Sequence, residues 1–290
     1  MSRLPTLARE MSKIEWTHFT FNPWWGCTKI SAGCKNCYAE TLDARFKGGH
    51  WGDNTTRRFF GDKHWSRPLA WNRKAERDGV RYRVFCASMA DVFEEHLDEY
   101  GTPNTQQSEA RWRLWRLIKA TPHLDWLLLT KRPENHYLVP PSWQTGSRRP
   151  LNVWLGVTAE NQEQADIRIP ILLEVRWPAV RFISYEPALG PIDLNAFVCD
   201  RSGGMVEHVD GYAVWPQKKA HGLDWVICGG ESGPGRREMN PNWVRSMWAQ
   251  CCGAGIPFFY KQKVEGGKKI SLPSLDGVQH AEFPRLEFSA

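Results

Sequence analysis

The sequence predicts an α/β fold, a full or partial (β/α) barrel with insertions, and three observations lead there. Short apolar runs recur along the chain, each closing in polar residues and most followed by a helix-like stretch. The chain has 290 residues, 41% of them apolar, enough to bury one large core of the size a single barrel needs. Strands separated by helices require parallel crossovers, and six or seven such units curl into a barrel. An open doubly wound sheet is the alternative architecture.

The runs that read as strands are 19–25, 84–87, 126–129, 153–157, 180–184, 225–228 and 257–260. The most legible helix covers 108–120, with Ser108 as cap and Trp112, Trp115 and Ile118 on one face. A second covers 241–253, with Asn240 as cap and glycine as stop. Residues 47–83 and 199–222 are too long for ordinary connections and read as insertions at the functional face or its rim. Residues 1–10 read as a flexible extension, and 11–290 as a single domain. No run approaches the roughly 20 apolar residues of a membrane span, and the first residues lack the apolar stretch of a signal peptide. A soluble cytoplasmic protein is expected.

In a reducing compartment the eight cysteines read as ligands or buried thiols rather than disulfides. Cys86 and Cys228 lie inside apolar runs, where a thiol behaves as a small hydrophobe. Cys251 and Cys252 are adjacent on a helix, Cys199 lies in a loop, and all five read as structural. Cys27, Cys34 and Cys37 differ, because they crowd into a C-x6-C-x2-C segment with Gly26, Ser31 and Gly33 to let the backbone wrap around sulfur. Three thiolates in one loop suit a [4Fe–4S] cluster with its fourth iron open. A zinc site completed by His18 or His50, or three unrelated thiols, are the other readings.

The remaining polar motifs fall where the strands end, the face on which barrel active sites assemble. Ser88 and Asp91 follow the second strand, Thr130 and Lys131 the third, and Glu160 and Asn161 the fourth. Glu186 follows the fifth, and Gly229, Gly230, Glu231 and Ser232 the sixth. Acids converging on a barrel mouth are costly unless they meet ammonium groups, ribose hydroxyls or basic side chains.

The net charge is +6, and between Arg45 and Arg83 eleven Lys and Arg face only four acids. Phe46, Trp51, Phe59, Phe60, Trp65 and Trp71 are interleaved with those cations. Cations for phosphates beside rings for bases form a nucleic-acid footprint, with Arg57, Arg58, Lys63 and Trp65 as the candidate contacts. A solvated flap whose rings dock on the barrel is the plainer reading.

Asn22-Pro-Trp-Trp-Gly-Cys27, Gly33-Cys34-Lys-Asn-Cys37-Tyr38-Ala-Glu40, Thr130-Lys-Arg-Pro133, Trp154-Leu-Gly-Val-Thr158, Ser184-Tyr-Glu-Pro187 and Gly229-Gly-Glu-Ser-Gly233 together resemble a phage-associated three-cysteine family related to radical S-adenosylmethionine enzymes. The first gap exceeds the commonest radical-enzyme spacing, C-x3-C-x2-C, by three residues. The resemblance implies a partial or full barrel of the radical S-adenosylmethionine type, a [4Fe–4S] cluster on Cys27, Cys34 and Cys37, and S-adenosylmethionine as second cofactor. It implies cofactor binding by Tyr38, Ser88, Asp91, Thr130, Lys131, Glu160, Asn161, Gly229, Gly230 and Ser232, with the amine at Ser88 and Asp91 and the ribose at Glu160 or Asn161. Glu186 and Glu231 are the catalytic candidates. The implied reaction is formation of a 5′-deoxyadenosyl radical, with an external electron donor, to modify or rearrange a nucleobase such as a hypermodified thymine in DNA. A metal-stapled nucleic-acid-binding protein without catalysis, and a radical enzyme acting on a small molecule or peptide, are the rival expectations.

Overall fold

The computed structural model describes residues 11–97, 100–147, 149–194, 197, 207–209, 212–214 and 222–285. The proposed extension 1–10 and most of the proposed insertion 199–222 lie outside the described residues. Of that insertion, Glu207–Val209 pairs antiparallel with Tyr212–Val214.

Eight strands form one sheet: β1 (Phe19–Thr20), β2 (Tyr82–Cys86), β3 (Leu124–Thr130), β4 (Val153–Thr158), β5 (Val180–Tyr185), β6 (Trp225–Gly229), β7 (Phe258–Glu265) and β8 (Lys268–Ser271). They lie in chain order; β1 to β7 are parallel and β8 folds back antiparallel on β7. The sheet curls into a half-barrel whose two edges, β1 and β8, do not meet. The fold is therefore a partial barrel and not a full one.

All seven expected runs are strands of this sheet, but the first is cut short. Pro23 has no N–H to donate to a ladder, and Asn22 accepts the Met89 N–H at 2.7 Å. Trp24–Trp25 accordingly leaves the sheet and pairs with Arg58–Phe59. Five helices of eight residues or more are described: α1 (Tyr38–Arg45), α2 (Arg67–Asp78), α3 (Thr105–Lys119), α4 (Gln162–Glu174) and α5 (Pro241–Ala254). Helix α3 starts earlier than expected, because the Asn104 side chain, and not Ser108, caps it by accepting the Gln107 N–H at 2.9 Å. Its buried face carries Leu114, Trp115 and Ile118, while Trp112 is exposed. Helix α5 keeps its Asn240 cap and ends at Gly255, left-handed at φ 63°, two residues beyond the expected stop at Gly253. The expected insertion 47–83 contains α2, which packs Trp71 flat on Phe19 at 4.4 Å, so its second half is the β1–β2 crossover of the fold.

Alternation along the strands makes two cores. Val84, Trp126, Leu128, Leu155, Ile183 and Val226 face the helices. Phe85, Leu127, Trp154, Phe182, Trp225 and Phe259 face the concave side, where Trp16 closes over Phe85 at 4.6 Å. The large rings fill the concave side at this level, and the cavity described next opens beside them at the strand ends. No helix among the described residues is long and apolar enough to cross a membrane.

Candidate active site

A cavity of about 380 Å³ lies at the C-terminal ends of the parallel strands, within the roughly 300–1,000 Å³ typical of small-molecule sites. Cys27, Cys34 and Cys37 line it, as do Tyr38, Ser88, Asp91, Thr130, Lys131, Glu186, Gly230, Glu231 and Ser232. One concave surface thus gathers twelve of the fifteen residues expected to serve cluster, cofactor and chemistry. Glu160, Asn161 and Gly229 stand behind it.

The cysteine loop is built from strong local signals. Cys34 closes a turn of 3-10 helix, Ala32–Cys34, and Cys37 stands at the N-cap of α1. All three thiols are free and half-buried. Among the described residues no three His, Cys, Asp or Glu groups gather closely enough to hold a single metal ion. The donor set is three soft sulfurs sharing one cavity wall, which fits a cluster of several irons better than one tetrahedral ion.

The surroundings treat the sulfurs unequally. Burial, followed by the charge of Glu94, pushes the Cys27 thiol up to about 12 in the metal-free chain, against the pull of Arg132. Burial also raises Cys34, but the Lys131 ammonium and hydrogen bonds from the Ile30 and Ser31 backbone outweigh it and leave this thiol below its ordinary value. Arg132 Nη1 donates to Cys27 Sγ at 3.6 Å, and Nη2 donates to the Thr28 carbonyl at 2.8 Å.

Asp91 does not present a free carboxylate to a cofactor amine, contrary to the sequence expectation. It accepts the Phe93 N–H at 3.0 Å, the Thr130 hydroxyl at 2.8 Å, the Lys131 N–H at 3.0 Å and Arg132 Nη1 at 3.3 Å. Its lone pairs are taken up in joining the ends of β2 and β3. Glu160 is likewise removed from the ribose role: it is fully buried, pairs with Arg168 at 2.8 Å and accepts the Gly33 N–H at 3.0 Å. Burial alone would raise its carboxyl, but the Ser31 hydroxyl, Arg168 and Lys131 hold it below the ordinary range. A methyl group at Gly33 would stand 2.9 Å from Glu160 Oε1, so glycine is needed where the cysteine loop meets this acid. Asn161 caps α4 by accepting the Gln164 N–H.

Glu231 faces the cavity but is held from behind. Arg237 Nη2 meets its Oε1 at 2.6 Å, and Asn36 Nδ2 donates to Oε2 at 2.9 Å. Because Asn36 lies between Cys34 and Cys37, and Arg237 also donates to the Ala32 carbonyl at 3.0 Å, the Gly-Gly-Glu-Ser turn clamps the cysteine loop. Those partners keep the Glu231 carboxyl below its ordinary value, although burial alone would raise it. Ser232 accepts from Gln262 Nε2 at 2.6 Å, and the Tyr38 hydroxyl donates to the Ser88 carbonyl at 2.7 Å.

Glu186 lines the cavity in an ion pair with Lys261, which lines it too. Lys261 Nζ approaches its Oε1 to 3.0 Å, both side chains are mostly shielded, and Ser184 donates to Oε2 at 3.4 Å. Gly229 stands behind: a methyl there would be 2.5 Å from Glu186 Oε1. Lys261 escaped the sequence reading because it sits in the polar second half of β7, beyond the apolar run. Arg132 and Glu94 escaped it too, although Arg132 belongs to the Thr-Lys-Arg-Pro motif.

The candidate nucleic-acid contacts divide. Arg57 is buried, its guanidinium fully shielded and paired with Glu94 at 2.9 Å, and Trp65 is buried with its indole N–H on the Phe60 carbonyl. Neither reaches a phosphate or a base from there. Arg58 and Lys63 are exposed, Arg58 resting over Trp25 at 4.9 Å.

Fold and site together define an α/β protein with an open, mostly parallel sheet and a cysteine-lined cavity at its strand ends. The chain belongs to the family described as "Protein of unknown function (DUF5131)", which it matches over residues 11–284. No curated protein and no solved structure matches it.

Proposed function

We propose that this protein is a radical S-adenosylmethionine enzyme, with Cys27, Cys34 and Cys37 as the ligands of a [4Fe–4S] cluster. One observation carries the reading: three free thiols from one eleven-residue loop open onto a single cavity at the strand ends. Cys27, Cys34 and Cys37 would hold the cluster there, and with S-adenosylmethionine bound it would supply one-electron cleavage to methionine and a 5′-deoxyadenosyl radical, the electron coming from an external donor. The chain's own part is to hold and to shield. Asp91 and Arg132 fix the β3 end against the Cys27 segment, Glu160 and Glu231 fix the Cys34 segment, and the concave rings keep water from the reacting face. Lys131, Ser88 and the Gly230–Ser232 backbone are the groups on the wall for the cofactor's polar ends. Glu186 and Lys261 are the ion pair on the cavity wall that we assign to the substrate.

The substrate in this reading is a nucleobase, as the resemblance implies, with hypermodified thymine in DNA the specific case. The buried Arg57 and Trp65 weaken the rival of a non-catalytic nucleic-acid binder, since half of its expected footprint faces inward. A reduced cluster and free thiols belong in the cytoplasm.

Anaerobic reconstitution tests the reading. The chain should bind about four irons and four sulfides, and each of Cys27→Ala, Cys34→Ala and Cys37→Ala should abolish that uptake while Cys251→Ala does not. Dithionite and S-adenosylmethionine should then give 5′-deoxyadenosine by mass analysis. Stoichiometric zinc with no uptake of iron overturns it.

A further inference from the structure

We propose that Trp51 is the stacking wall of a subsite for a planar heteroaromatic ring in this cavity. The inference rests on the cavity being the binding site, as read above, but not on the identity of its metal.

Trp51, in the 47–60 segment, is among the residues that line the cavity. The other tryptophans of this region are packed on partners: Trp71 lies on Phe19, Trp65 on Phe21 at 5.2 Å, and Trp25 on Phe60 at 5.9 Å. Trp51 has no ring contact, cation contact or hydrogen bond among the described residues. A half-buried indole with one face on a cavity is an apolar surface left uncovered.

The backbone on both sides of that indole is held by buried charge. Arg57 Nη1 donates to the His50 carbonyl at 3.1 Å and the Gly52 carbonyl at 3.1 Å, the residues immediately before and after Trp51. The Gly52 N–H donates to the Cys27 carbonyl at 3.0 Å, and Gly52 adopts φ 115°, where a side chain would be strained. Asp43 accepts the His50 N–H at 3.1 Å and meets its ring nitrogen at 2.8 Å. Arg57 is itself fixed by the buried Glu94. A tryptophan that only fills space would be packed; this one lines the cavity on a backbone held from both sides. Pre-organised, unpartnered aromatic surface is what binds a flat π system with little loss of side-chain freedom.

Two ligands of this site's reading carry such a ring, the purine of the cofactor and the base of the substrate. Their shared chemistry is the stacking face, and binding measurements separate them. Calorimetry on the full metal-free chain would use S-adenosylhomocysteine as the cofactor probe and thymidine 5′-monophosphate as the substrate probe. Base stacking predicts that Trp51→Ala and Trp51→Leu weaken one of the probes by about 5- to 150-fold, and that Trp51→Phe keeps most of the affinity. Loss confined to S-adenosylhomocysteine assigns the wall to the purine, and loss confined to the nucleotide assigns it to the substrate base. The leucine variant preserves apolar bulk, so full affinity in Trp51→Leu overturns the stacking role. So does unchanged binding in Trp51→Ala, or failure of the unsubstituted chain to bind either probe. A chain that takes up no iron would remove the cluster while leaving these affinities as they are, so the two readings fail separately.

Discussion

Arg132 is the side chain through which the β3 end reaches the Cys27 segment of the cysteine loop. Its guanidinium donates to Cys27 Sγ and to the Thr28 carbonyl, and it is anchored by Asp91. A cation donating to a ligand sulfur favours the more negative, reduced state of a cluster. If the proposed cluster is present, Arg132→Met should therefore retain iron but shift its midpoint potential negative by on the order of 60 mV, a tenfold change in a one-electron equilibrium. Arg132→Lys should fall between, and a redox titration followed by paramagnetic resonance reads all three. An unchanged potential at full iron content would show that the contact does not reach the metal. Asp91 belongs to the same unit. Asp91→Ala leaves two N–H groups, a hydroxyl and a guanidinium without their acceptor, a loss of about 2–4 kcal/mol by urea denaturation. Normal stability with weakened S-adenosylmethionine binding would instead return Asp91 to the amine role.

At the scale of elements, the 47–60 segment and the cysteine loop are joined by the Arg57–Glu94 pair. Glu94 accepts the Thr28 N–H at 2.7 Å as well as Arg57, while Arg57 also donates to Thr28 Oγ1. Arg57→Met leaves the buried Glu94 carboxylate with Arg132, at 3.7 Å, as its remaining cation among the described residues, and breaking a buried pair from one side costs up to about 3–5 kcal/mol. The double change Arg57→Met with Glu94→Gln should recover a large part of that loss in a double-mutant cycle. Additive losses would mean that the two side chains act separately. The sequence made this segment look like a surface, because composition counts a buried arginine and an exposed one alike. The strands were legible for the opposite reason: β3, β4 and β5 are buried along nearly every residue, so their apolar runs are continuous. Strand β8, Lys-Lys-Ile-Ser, is exposed throughout and left no pattern to read. Helix α1 was hidden in the same way, its turns carrying polar residues around the two buried ones, Ala39 and Asp43. In the site, acids at strand ends were visible, but whether each faced the cavity or an arginine behind it was not, since Arg168 and Arg237 come from turns and helices beyond the motifs.

The whole molecule carries an acid sensitivity that follows from its histidines. His18 Nδ1 accepts the Arg83 N–H at 2.9 Å, which requires that nitrogen to be unprotonated, and the ring packs edge-on against Tyr82 at 5.2 Å. Burial and then the Arg83 cation lower its pKa to about 4. Burial is also the largest cause of the lowered values of His64 and His136. In each case the unfolded chain holds the proton more tightly than the folded one. Between the ordinary histidine value of about 6.5 and the depressed folded value, the unfolded state therefore binds more protons, and stability must fall as the pH falls. Above that window the term is constant. Urea unfolding of the metal-free chain from pH 7.5 to 4.5 should show a midpoint that is flat at first and then declines below about pH 6.5. His18→Asn keeps an acceptor near Nδ1 without a titrating ring, so it should flatten the decline by about 1–2 kcal/mol at the acid end, after allowance for screening of a half-buried ring. If the variant and the parent chain lose stability in parallel down to pH 4.5, the acid limb belongs to His64, His136 or the carboxylates rather than to His18.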